Sequence, residues 1–210
     1  MTDLRDPLSE DVVGVILAGG RSRRMGTEKT RLPVGGQSMM ERAIGRLSVQ
    51  ASWLVVSVSE DAEPAVPPGV PVARDEGERF GGPLFGILSG LKWANENTDA
   101  RWIVSVPADA PFLPGDLVSR LRKGLAVDAE IAVARSLDRL HPVVALWPVL
   151  LAAALEAWLA VPSQRAAKAW LATRRWSAVD FPCEEGVDPF FNVNTPEDLA
   201  VAREQAGRST

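Results

Sequence analysis

Val12-Val-Gly-Val-Ile-Leu-Ala18 is a nearly unbroken apolar run that stops at two glycines, Gly19 and Gly20. Such a run offers solvent no polar face, so it predicts a strand covered on both sides, as in the middle of a parallel sheet. Beyond the glycines the hydrophobic period keeps switching. Behind Ser38, a candidate N-cap, Met39, Met40, Ala43, Ile44 and Leu47 fall at helical spacing, and Trp53 to Val58 returns to strand. Pro71-Val-Ala-Arg74 leads into a turn-rich stretch ending at Gly82, after which Pro83 opens a helix marked by Leu84, Ile87, Leu88 and Leu91. Trp102 to Val106 reads as strand, Pro114 to Leu125 as helix, Ile131 to Ala134 and Val143 to Trp147 as strands, and Val149 to Ala160 as helix. This alternation predicts the α/β class, with a three-layer, doubly wound, mostly parallel, Rossmann-like sheet whose ligands bind beyond the carboxyl ends of its strands. A single domain is expected over residues 12–206, between flexible ends at 1–11 and 207–210.

Composition narrows the function. The chain has 210 residues, 46% of them hydrophobic, enough to bury one substantial core. Cys183 is the only cysteine and cannot form an internal disulfide, and Met1-Thr-Asp-Leu-Arg-Asp lacks a secretory pattern, so a cytoplasmic protein is expected. The longest apolar stretch, Val143 to Leu155, is too short for a membrane span and is broken by Pro148. A net charge of −4 argues against nucleic-acid and membrane partners, which call for a basic face. The exception is local: Arg21, Arg23, Arg24, Lys29 and Arg31 stand against one acid, Glu28. A small polyanion suits that loop.

In Gly19-Gly-Arg-Ser-Arg-Arg-Met-Gly26, small residues let backbone amides approach phosphate oxygens while the cations neutralise them. The spacing is not that of a P-loop, which needs Lys directly after its second glycine, and no G-x-G-x-x-G dinucleotide fingerprint is present. A solvated basic loop is the plainer alternative. Asp109, inside Pro107-Ala-Asp-Ala-Pro111, follows a strand and offers a hard oxygen ligand of the kind Mg²⁺ takes, though an Asp here would also serve to cap the helix near Pro114. Asp75 is either a surface turn residue or an acceptor for the donor edge of guanine. His141 is the lone histidine, and such a residue is more often structural than catalytic. Asn194 precedes Thr195-Pro196, a helix start whose entry it would shape.

Leu17-Ala-Gly-Gly-Arg-Ser-Arg-Arg-Met-Gly26 with Lys29 resembles the signature of nucleotidyltransferases that activate sugars and pterins, and most of all that of the molybdenum cofactor guanylyltransferases. The likeness runs on through Asp75, Gly82-Pro-Leu, Pro107-Ala-Asp-Ala-Pro, His141-Pro and Asn192-Val-Asn-Thr-Pro196, about residues 12 to 203. It implies the nucleotidyltransferase version of the fold and transfer of GMP from GTP to the terminal phosphate of molybdopterin or Mo-molybdopterin, with loss of pyrophosphate. Carried over residue by residue, Leu17, Ala18, Gly19, Gly20, Lys29, Ser57, Asp75 and Asp109 would meet GTP. Arg23, Lys29 and Asp109 would act in catalysis, with Asp109 the Mg²⁺ ligand and Mn²⁺ a substitute. His141, Asn192 and Asn194 would face molybdopterin. A monomer is expected, with molybdopterin-inserting proteins and apo-molybdoenzymes as further partners. Two positions depart from the family: Glu28 stands where Asp is usual and Ser57 where Asn is common. The cytidylyltransferases of this type tend to read Leu-Ala-Ala-Gly, so Gly19 is expected to leave room for a purine. Cytidylyl transfer, sugar-phosphate nucleotidyl transfer and a non-catalytic GTP sensor remain the alternatives.

Overall fold

The computed structural model of the chain describes residues 10–19, 29–60, 66–75, 82–161, 165–184 and 186–208. Gly20, Arg23 and the rest of the basic loop before Lys29 lie outside the described residues.

The first strand, β1 (Val12–Leu17), is buried along nearly its whole length, as its apolar run requires. Two short strands, β2 (Pro33–Val34) and β3 (Gln37–Ser38), pair as a small ribbon before α1 (Met39–Ser48). Ser38 caps α1: its hydroxyl accepts from the Glu41 amide at 3.2 Å while the Glu41 carboxylate accepts from the Ser38 amide at 2.8 Å. Then come β4 (Trp53–Val58), β5 (Val72–Arg74), α2 (Pro83–Asn97), β6 (Trp102–Pro107) and α3 (Leu117–Lys123). The chain closes with β7 (Ile131–Ser136), β8 (Arg139–Pro148), α4 (Ala152–Leu159), α5 (Ala167–Leu171), β9 (Trp176–Asp180) and α6 (Pro196–Arg208).

Seven strands form one sheet in the order β5-β4-β1-β6-β8-β7-β9. The first four are mutually parallel, β8 runs against both its neighbours, and β9 is parallel to β7. The sheet is therefore mostly parallel, as its apolar strands predict. Residue alternation divides the core into two layers. Val12, Ile16, Val56, Val104 and Val106 face α1 and α3, whereas Val13, Val15, Val55 and Ile103 face α2, α4 and α5. A third, smaller cluster joins Val34 and Met39 to Val193, Leu199 and Ala202, which docks α6.

Three boundaries differ from the sequence reading, each for a tertiary reason. Helix α3 starts at Leu117 rather than Pro114 because the Gln50 side chain holds the entry open: its Nε2 donates to the Pro114 carbonyl at 2.9 Å and its Oε1 accepts from the Val118 amide at 3.2 Å. Strand β8 begins at Arg139, ahead of Val143, because Leu137 and Asp138 make a tight turn with φ of 48° and 56° that pairs it with β7 at once. The register then shifts between Val133 and Arg135, and the irregular stretch of β8 accommodates Pro142, which has no amide to give the ladder. The stretch from Val149 begins as a 3-10 turn over Val149–Leu151 before α4. No helix among the described residues is long and apolar enough to cross a membrane.

Helix α2 carries Gly90 against β1, where a Cβ would meet Val15 Cγ1 at 2.6 Å and Cγ2 at 2.7 Å. Alanine improves helix propensity by about 1 kcal/mol, but overpacking a β-branched core contact costs about 1–3 kcal/mol, so the clash should win. Gly90→Ala is expected to lower the urea midpoint of unfolding without changing its slope.

Candidate active site

The carboxyl ends of β1, β4, β5 and β6 bring the sequence-predicted residues to one cleft, lined by Leu17, Ala18, Gly19, Lys29, Ser57, Asp75 and Asp109. Backbone bonds fix this edge: the Ala18 amide donates to the Ser57 carbonyl at 2.8 Å, Ala108 to Leu17 at 3.1 Å, and Asp75 to Val58 at 2.8 Å. Strand order reverses at β1, since β4 and β5 extend the sheet on one side of it and β6 resumes on the other. The crevice at such a switch point is where open α/β sheets take ligands.

At one end of the cleft Lys29 pairs with Asp109, both side chains 15% exposed. Lys29 Nζ also donates to Asn194 Oδ1 at 3.0 Å and to the Val193 carbonyl at 3.4 Å, and the Val193 amide donates to the Asp109 carbonyl at 3.0 Å. Asn194 thus joins the cation that the loop delivers. Its helix entry is capped separately, by Asp198 Oδ2 accepting from the Asn194 and Thr195 amides, each at 2.9 Å.

At the other end Ser57 Oγ donates to Asp75 Oδ1 at 2.6 Å. Burial pushes the Asp75 carboxyl above the usual range, against the hydroxyls of Ser57 and Ser89, which favour the anion. A Cβ at Gly19 would stand 3.1 Å from Asp75 Oδ2 and 3.2 Å from Ser59 Oγ. The clearance at Gly19 therefore protects the Asp75 carboxylate first.

His141 is not in the cleft lining. It is 7% exposed, packs on Phe190 at 4.8 Å between ring centroids, and lies 2.8 Å through Nε2 from Ser136 Oγ. Ser136 gives its one proton to Asp188 Oδ1 at 2.7 Å, so His141 donates from Nε2 to Ser136 Oγ in a His-Ser-Asp chain. Asp188 Oδ1 also accepts from the Phe190 amide at 2.9 Å. These bonds anchor the segment that leads to Asn194. Asn192 sits in that segment with its Oδ1 buried and without a hydrogen-bond partner among the described residues.

Sequence reasoning missed Gly86 and Val143, which also line the cleft. Glycine inside an amphipathic helix was the available signal for Gly86. A larger cavity, about 750 Å³, lies between Arg42, Arg46, Phe112, Arg120 and Phe181 and contains none of the predicted residues. Of the two, the smaller cleft is the candidate site, because it joins a cation, a carboxylate and Gly19 at the switch point.

Asp109 is a single hard carboxylate beside a cation, and no cluster of three or more metal-binding side chains exists among the described residues. One hard carboxylate is a donor that a divalent cation such as Mg²⁺ accepts.

Residues 14–179 match the MobA-like NTP transferase domain. The chain belongs to this family. It is 42% identical over 199 residues to the molybdenum cofactor guanylyltransferase of Sinorhizobium fredii, covering 92% of this chain and 91% of that protein. It is similar in fold to molybdopterin-guanine dinucleotide biosynthesis protein A of Archaeoglobus fulgidus, at 20% identity and a TM-score of 0.68, over 93% of this chain and 99% of that one. A Mycobacterium tuberculosis protein solved in complex with manganese shares the fold at 17% identity and a TM-score of 0.64, over 92% and 98%. The family makes the chain a nucleotidyltransferase.

Burial holds the His141 pKa below the usual histidine range, with Asp188 opposing and Arg139 reinforcing the shift. The unfolded chain therefore binds the proton first, and stability is lost as pH falls from about 6.5 through the lower folded value. Urea unfolding at about pH 7.5 and pH 5 should show this loss, and His141→Gln should flatten it.

Proposed function

We propose that the chain transfers GMP from GTP to the terminal phosphate of molybdopterin or Mo-molybdopterin, releasing pyrophosphate and forming the guanine dinucleotide cofactor. The observation that carries this reading is one cleft with two chemically distinct ends: Lys29 with Asp109 for phosphate and metal, and Asp75 for a base with donors on its edge.

The acceptor phosphate is already ionised at neutral pH, so it can attack the α-phosphorus of GTP without a general base. A P–O bond forms to the acceptor as the bond to pyrophosphate breaks. The protein's work is alignment and charge stabilisation. Neither His141 nor Cys183 lines the cleft, and none of its lining residues is needed as a covalent nucleophile.

Asp109 would hold Mg²⁺, with Mn²⁺ a substitute, and the bound metal would neutralise charge on the phosphate oxygens. Lys29, kept near Asp109 and Asn194, would meet charge on the departing pyrophosphate, with Arg23 assisting from the glycine loop. The carboxylate of Asp75 would accept from guanine N1–H and N2–H₂. Asn194 and Asn192 would border the acceptor, and His141 would support their segment from behind. The single cysteine suits a cytoplasmic setting for this chemistry.

Product analysis with molybdopterin and each nucleoside triphosphate in turn tests the reading: the guanine dinucleotide should dominate, and a cytosine product would overturn it. Asp109→Asn should retain the fold yet lose more than about a hundredfold in turnover at limiting Mg²⁺, because even residues that merely support a metal ligand cost 10–100-fold. Unimpaired turnover would remove Asp109 from the metal site. Gly19→Ala should press on Asp75 Oδ2 and narrow the preference for GTP over CTP by roughly 1–3 kcal/mol, the cost of misfitting one small group. Direct competition of the two nucleotides for limiting molybdopterin reads that ratio.

A further inference from the structure

Ser57 ends β4 with its side chain buried, 1% exposed. By resemblance to the family this position would touch the nucleotide, where Asn is common. Here the hydroxyl has one proton, and the 2.6 Å bond to Asp75 Oδ1 uses it. Ser57 is left without a donor for anything else.

The opposite wall shows what this bond requires. Gly86 lies in the second turn of α2, an interior helix position where glycine gives up roughly 0.5–1 kcal/mol relative to alanine. A Cβ there would stand 2.7 Å from Ser57 Oγ and 3.0 Å from Leu17 Cδ2. Leu17 has a flexible end that can yield. The Ser57 hydroxyl cannot yield without leaving Asp75. One turn on, Ser89 Oγ donates its proton to the Phe85 carbonyl at 3.0 Å, which leaves Ser57 as the hydroxyl bonded to Asp75. The other Asp75 oxygen, Oδ2, faces the backbone of Gly19 on the cleft side.

We propose that Ser57 is a positioning residue for base selection: with room kept by the absent side chain of Gly86, its hydroxyl pins Asp75 Oδ1 and leaves Oδ2 to read the base. Ser57 then does not contact the nucleotide. This inference rests on the proposed guanine-reading role of Asp75, and the test separates the two.

The readout is discrimination between GTP and ITP, which lacks the N2 amine and so one donor to a carboxylate. Ser57→Ala should raise KM for GTP by roughly threefold to tenfold, more than it lowers kcat, and should shrink the GTP over ITP preference by a similar factor. The rise should be steeper toward acid pH, because a carboxyl that loses a hydroxyl donor is protonated more readily. Gly86→Ala should reproduce this pattern by displacing the hydroxyl. In the Ser57→Ala background, Gly86→Ala should add no further loss, and the urea midpoint should rise as the helix gains alanine.

Asp75→Asn is measured alongside. If Asp75→Asn leaves the GTP to ITP ratio intact, guanine is read elsewhere and the base-reading role itself falls. If Asp75→Asn collapses the ratio while Ser57→Ala and Gly86→Ala leave it unchanged, the positioning role is overturned. A loss with Ser57→Ala that is equal for GTP and ITP and independent of pH would instead make Ser57 a sugar or phosphate contact, which also overturns it. Additive effects of Ser57→Ala and Gly86→Ala would show that Gly86 serves packing alone.

Discussion

Strand β1 is hydrogen-bonded on both sides, to β4 and to β6, and the chain leaves it for one side of the sheet before returning on the other. Because consecutive connections depart in opposite directions, a crevice opens at its carboxyl end, with Lys29 and Asp109 at one side and Asp75 at the other. Lys29 comes from the loop after β1 and Asp109 from the end of β6. The Ala108 to Leu17 backbone bond ties those two strand ends together. Their ion pair is thus a consequence of topology: residues far apart in sequence meet because the sheet reverses between their strands. On the other flank, the Ala18 to Ser57 and Asp75 to Val58 bonds carry the same edge out to β5, which sets the distance between the Lys29–Asp109 and Asp75 ends of the cleft.

Much of this could be read from the chain, for a physical reason. A strand buried on both faces needs a near-continuous apolar run, so β1, β4 and β6 are visible in sequence, and whatever polar residue comes after such a run must sit at the ligand edge. Asp109 was legible on that ground, Asp75 as a loop residue after a strand, Lys29 as a cation of the glycine-rich loop, and Ser57 only through the family resemblance. The start of α3 was not, because Gln50 from beyond the end of α1 satisfies its backbone groups and no local signal encodes that. Helix α5 and strand β9 escaped as well: both are five residues long, and β9 lies at the sheet edge where its burial is mixed. His141 was legible as a lone histidine but not as the donor of a buried chain, since Ser136 and Asp188 reach it only through the β7–β8 turn and the segment before α6.

The segment from Asp188 to Asn194 has no regular structure, yet it reaches Lys29 and Asp109 at the cleft, and its backbone must be held by something other than a sheet ladder. Asp188 fixes its start by accepting from Ser136 and from the Phe190 amide. Phe190 packs between His141 and Phe181, with the Phe181 ring 5.1 Å away, and Val193 and Leu199 bury the far end against Val34 and Met39. The Val193 amide then reaches the Asp109 carbonyl. A neutral His141 is well suited to this place, because a charged imidazole there would be a buried cation bonded to a hydroxyl rather than to a carboxylate. The same bonds that anchor the segment determine where Asn194 meets Lys29.

Glycine placement shows where the fold gives stability to the site. Gly90 and Gly124 answer packing alone, since a Cβ at either would run into a valine side chain of β1 or β9. Gly19 and Gly86 are different, because the nearest atoms to a Cβ there are polar: Asp75 Oδ2 and Ser59 Oγ for the one, Ser57 Oγ for the other. The two clearances open on one hydrogen-bonded pair, on Asp75 from the loop side and on Ser57 from the helix side. A packing requirement explains a glycine facing methyl groups equally well in any α/β sheet. Glycines on both sides of the Ser57–Asp75 pair, one facing Asp75 Oδ2 and the other Ser57 Oγ, instead leave room for a carboxylate held in one orientation at the end of the cleft away from Lys29 and Asp109.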